Sequence, residues 1–197
     1  MRARPELEDL PEHLPRNDDR GALAARPAPG AGKEGAEDAA LERFEESNCV
    51  LRDVYSGRLK LYGKEHERTL IAANNYANSL VYLRRFEEAK ALLRKMIPVA
   101  RRVLGERNQT TLMTRWNYAV ALCKDDGATL DDLREGVTML EDAERTARRA
   151  LGGANPLVGD IETCLRVSRA VLADRGVEST FESISEAFAA MTPSPRG

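Results

Sequence analysis

From about Ala39 to Arg175, apolar side chains recur every three or four positions, the spacing that lines one face of an α-helix. Leu70, Ala73, Ala77 and Leu80 make one such stripe, and Ala89, Leu92, Leu93, Met96 and Ile97 make another. Helix-breaking residues fall between the stripes, at Gly63, Gly105, Gly127 and Gly152-Gly153. Each follows a long helical stretch, where a left-handed cap is expected. Arg101-Arg102 and Arg148-Arg149 precede two of these glycines, and positive charge there complements the helix dipole. Pro98 lies inside a helical run and is expected to bend it, because it removes one hydrogen bond and crowds the preceding turn. The flanks are different. Residues 1–38 hold five of the nine prolines and the linker-like run Arg26-Pro27-Ala28-Pro29-Gly30-Ala31-Gly32, which predicts a disordered N-terminal arm. Residues 192–197 predict a flexible tail. Between them, Phe181, Ile184, Phe188 and Met191 predict a short capping helix over 176–191, with Thr180 as its N-cap.

The helical part repeats. Arg43-Phe44-Glu45-Glu46-Ser47 matches Arg85-Phe86-Glu87-Glu88-Ala89 at an offset of 42 residues. Val50-Leu51-Arg52 then lies over Leu92-Leu93-Arg94, and Leu61-Tyr62-Gly63 over Val103-Leu104-Gly105. A second stretch keeps the same offset: Thr69-Leu70 over Thr111-Leu112, Asn75-Tyr76-Ala77 over Asn117-Tyr118-Ala119, and Leu80 over Leu122. Leu104-Gly105 recurs as Leu151-Gly152 at an offset of 47, the extra residues falling in the polar loop Asp125–Asp132. A fixed period of this length marks an array of helix pairs, in which no unit can bury its apolar face alone.

These residues resemble the 42-residue tetratricopeptide repeat (TPR) of the kinesin light chain type. The resemblance rests on His66, Thr69-Leu70 and Asn74-Asn75-Tyr76-Ala77 on the first helix, and on Phe86-Glu87-Glu88-Ala89 and Leu104-Gly105 on the second. Asn155-Pro156 echoes the opening of the unit, and the likeness spans residues 39–175. It implies an all-α fold, a short right-handed α-solenoid of antiparallel helix pairs. Small residues would let the paired helices approach, Ala77 against Ala89 and Ala119 against Gly136, while Arg166 at the third small position would end the array. It also implies a concave groove that binds a protein partner as a peptide or helix. The groove candidates are Asn74, Asn75, Asn78 and Tyr82 in one repeat, with Ile71, and Met113, Trp116, Asn117 and Val120 in the next. Asparagine offers a donor and an acceptor to any peptide backbone, and tryptophan is enriched where binding energy concentrates. Asn75 and Asn117 could equally serve neighbouring backbone, and Trp116 the core. A second reading is a purely structural segment that assembles with itself or another chain through the ends of the array.

Composition narrows the chemistry. Apolar residues make up 42% and aromatics only 5%, so the core must rest on Leu, Val and Ala, which suits close helix packing. Thirty basic and 32 acidic side chains leave a net charge of −2, and no nucleic-acid partner is expected. The arginine pairs Arg84-Arg85, Arg101-Arg102 and Arg148-Arg149 read as solvated helix ends. Cys49, Cys123 and Cys164 are scattered and form no C-x-x-C pair, so they read as core thiols in a reducing compartment, which favours a cytoplasmic location. No membrane span and no secretory signal is legible. His13 and His66 are the only histidines, and no phosphate-cradling loop, zinc motif or nucleophile elbow occurs. No catalytic residue, cofactor or metal site is therefore expected. Leu7-Glu8-Asp9-Leu10-Pro11 is an acidic-apolar motif that could fold back onto the groove.

Overall fold

A computed structural model describes the backbone of residues 33–191 and the side-chain surroundings of residues 41–177, and among the described residues every regular element is a helix. These are α1 (Lys33–Tyr62), α2 (Glu67–Tyr82), α3 (Phe86–Leu104), α4 (Gln109–Lys124), α5 (Leu130–Leu151) and α6 (Pro156–Met191). The arm and tail expected at the termini, with the Leu7–Pro11 motif, lie outside the described residues, except that α1 already begins at Lys33.

The helix boundaries repeat with the sequence. Gly63, Gly105 and Gly152 have φ of 79°, 88° and 84°, values that a Cβ would strain, and so stop α1, α3 and α5 at equivalent positions. Gly127 is different: its φ is not positive, and its N–H donates to Asp125 Oδ1 at 3.0 Å, so a side-chain turn rather than a glycine cap closes α4. The starts repeat too. His66 Nδ1 accepts from the Arg68 N–H at 3.1 Å, Asn108 Oδ1 from Thr110 at 2.8 Å, and Asn155 Oδ1 from Leu157 at 3.0 Å. These three caps stand 42 and 47 residues apart, the two offsets of the repeat. Thr129 and Asp132 form a reciprocal capping box at the start of α5. Pro98 is tolerated within α3, which continues to Leu104.

Each helix packs on its neighbour in sequence, and α4 also touches both α2 and α6. The main core therefore surrounds α4, in which every residue from Thr110 to Cys123 is buried. Ala77, Ala89, Leu93, Leu112, Ala119, Leu122, Leu133 and Leu140 lie within it at no more than 1% exposure. A smaller cluster joins Leu70 and Ala73 of α2 to Met96 and Ala100 of α3, with Tyr55 of α1 against it. The small residues let helices close up: a Cβ on Gly136 would stand 2.6 Å from Cys123 Sγ and 3.4 Å from the Ala119 carbonyl oxygen.

Two further expectations change. α6 runs unbroken through Arg175 and Gly176 to Met191, so the boundary expected at 175/176 is not a break and Thr180 lies within a helix. A glycine inside a helix costs only about 1 kcal/mol, which packing along the rest of α6 offsets. Cys49 is exposed on α1, whereas Cys123 and Cys164 are buried.

Candidate functional site

The residues expected to line a groove separate into two groups. Asn74, Met113, Trp116, Asn117 and Val120 are buried, at 1–3% exposure. They are not available to a ligand, which corrects the expectation that they line an open surface. The reason is enclosure: α4 is packed by α2, α3, α5 and α6, so no side of it is left for solvent. Asn117 Nδ2 donates to Asn74 Oδ1 at 3.1 Å, so this pair ties α4 to α2. One repeat later the indole of Trp116 lies beside the Cys164 thiol of α6. The second group, Ile71, Asn75 and Asn78, is half-buried, and Tyr82 is exposed. These four fall at spacings of four, three and four and share one face of α2. The Asn78 side-chain Oδ1 is buried without a hydrogen-bond partner. The Tyr82 ring stacks on Phe44 of α1, with centroids 5.8 Å apart.

Sequence reading missed the polar links that fasten helix to helix. Asn48 of α1 is buried, and its amide donates to Ser79 Oγ at 2.7 Å and accepts from Arg85 at 3.5 Å. Arg115, buried within α4, pairs with Asp142 of α5. Arg94 of α3 donates to the Tyr118 hydroxyl at 2.7 Å, which in turn donates to Glu135 of α5 at 3.0 Å. Lys90, 6% exposed, bonds Asp125 at 2.8 Å and Glu87 at 2.6 Å. Arg115 and Lys90 replace Ala73 and Asn48 in the preceding copy, so the period does not mark them. Asn108 lies one period after His66, and that spacing is the signal that would have marked it as a cap.

Burial opposes the charge on Lys90, but its bonds to Asp125 and Glu87 outweigh that and raise its pKa. Lys90 in turn holds the Asp125 carboxyl below its ordinary value. Arg115 does the same for Asp142, and the Thr129 hydroxyl for Asp132. Carboxylates depressed in the folded state favour folding above their unfolded pKa of about 4, and that contribution disappears as pH falls through the folded values. The melting temperature is therefore expected to fall steadily below about pH 4. In Lys90→Met the Asp125 contribution shrinks to what the Gly127 N–H supplies, so the thermal melts should start lower at neutral pH and depend less on acid. Cys164 is pushed up to about 12 by burial and by the neighbouring Cys123 thiol, so it stays a neutral thiol.

Chemistry-bearing clusters are sparse. Among the described residues no group of three or more His, Cys, Asp and Glu side chains is arranged to hold a metal, and no helix is long and apolar enough to cross a membrane. A shallow depression between α5 and α6 is lined by Glu141, Glu144, Arg145, Glu162, Arg166 and Arg169, where Arg169 pairs with Glu141 and Arg148 with Glu162. Arg84, Arg85, Arg101, Arg102 and Arg148 each face a carboxylate. No protein-family model and no curated protein sequence matches this chain.

Proposed function

We propose that the chain is a tetratricopeptide-type α-solenoid of the kinesin light chain repeat class, and that it serves as a cytoplasmic adaptor holding a peptide or helix of a protein partner. Support for the class comes from recurrence: glycine stops, side-chain caps and helix-to-helix contacts all return at the offsets of 42 and 47 residues. The Asn74–Asn117 contact and the Trp116–Cys164 contact are the same contact one repeat apart.

The observation that carries the binding role is the α2 face, where Asn75 and Asn78 are half-buried and Tyr82 is exposed. Asparagine amides offer a donor and an acceptor to a peptide backbone, and the Tyr82 ring adds an exposed aromatic contact beside them. The occupied face is accordingly α2 alone, shorter than the two-repeat groove expected from sequence. Affinity capture from the native cell extract tests the reading. The wild-type chain should retain a discrete set of proteins that Asn75→Ala/Asn78→Ala loses, while both melt at similar temperatures. An identical set with the double variant would remove the α2 face from consideration.

A further inference from the structure

Among the described residues, one face of α1 has no helix packed on it. Ser47, Val50, Val54, Gly57 and Leu61 follow one another at spacings of three and four, a single helical stripe. Val50 is 61% exposed, Val54 39% and Leu61 77%. The repeat shows what belongs there. One period later these positions are Ala89, Leu92, Met96, Val99 and Val103, among which Ala89 and Met96 are buried and Met96 packs on Leu70 and Ala73 of α2. The α1 stripe is thus built to receive a helix, and no helix of the described residues lies on it.

The stripe is complementary to itself. Set antiparallel about Val54, two copies would place Leu61 opposite Ser47 and Val50 opposite Gly57, large against small at each step. Among the described residues a Cβ on Gly57 would meet nothing within 4 Å, so no packing there requires the glycine. A helix-interior glycine nevertheless costs about 1 kcal/mol, so its value lies in letting another backbone come close. Charge points the same way. Glu42, Glu45 and Glu46 stand at one end of the stripe and Lys60 and Lys64 at the other. Antiparallel pairing brings opposite charges together, whereas parallel pairing sets like against like. A closed two-fold pair covers the stripe of both copies at once.

We propose that two copies of this chain associate through α1, as an antiparallel two-fold dimer centred on Val54. This goes beyond the adaptor reading and does not depend on it. Sedimentation of the full chain across a concentration series tests it. Mass should rise from the 21.8 kDa monomer toward twice that value. Val54→Glu sets two carboxylates together at the two-fold axis, and Gly57→Gln blocks the close approach. Each should weaken association by about tenfold or more, with helicity by circular dichroism unchanged. Glu46→Lys should also weaken the dimer, and adding Lys60→Glu should restore it; in a parallel pair the single change would swap one like-charge contact for another and leave affinity unchanged. A chain monomeric at every concentration overturns the proposal. So does a dimer that both Val54→Glu and Gly57→Gln leave intact, or one that forms only after residues 1–32 are removed, which would make the arm the occupant of the stripe.

Discussion

Trp116→Ala is expected to destabilise the protein by about 3–5 kcal/mol, the range for emptying a large aromatic site in a core. Trp116 is 1% exposed on α4, in the main core with Met113 and Val120 and beside Cys164 of α6. Its removal would leave a cavity that the surrounding helices cannot close without parting. Urea unfolding followed by circular dichroism reads the effect directly, and the loss should appear as a lower midpoint at an unchanged slope. A loss below about 1 kcal/mol would mean that Trp116 is a surface residue, as a groove lining would require. The experiment therefore separates the core position from the binding position that the repeat pattern suggests.

Gly136→Val is expected to cost about 1–3 kcal/mol, through overpacking rather than through a cavity. The new Cβ would stand 2.6 Å from Cys123 Sγ, and both residues are buried between α4 and α5. Valine has a better helix propensity than glycine, so a destabilisation here runs against the local preference and isolates the packing conflict. Cys123→Ala opens the space that the added methyl groups need. In the double variant the two costs should not add, and a coupling of at least about 1 kcal/mol is expected. Additive losses would show that Gly136 is required by its own backbone and not by the approach of α4.

Much of the fold was legible along the chain. The apolar spacing predicted helices, the glycines marked where α1, α3 and α5 stop, and the likeness to the repeat class implied the approach of Ala119 to Gly136. These features are local: a helix face, a backbone angle or a missing side chain is written into a few consecutive residues. The candidate site was less legible. Asn75, Asn78 and Tyr82 keep some access to solvent, while Asn74, Met113, Trp116, Asn117 and Val120 do not. Periodicity says which residues share a face of a helix; it does not say whether a further helix covers that face. The same limit explains Cys49, whose type favours burial but which sits on the exposed part of α1. It also explains Lys90 and Arg115, charged residues that become buried only because Asp125 and Asp142 arrive from another part of the chain.

By itself, then, the sequence determined an all-helical chain, the order and ends of most helices, and the repeat that makes successive contacts equivalent. The tertiary structure alone decided that α4 is enclosed on all sides, that α6 passes Gly176 without a break, and that no helix of the described residues covers one stripe of α1. The physical reason is the range of the interactions. Helix propensity, capping and glycine backbone angles act over a turn or two, whereas burial is the sum of what every other helix removes from water.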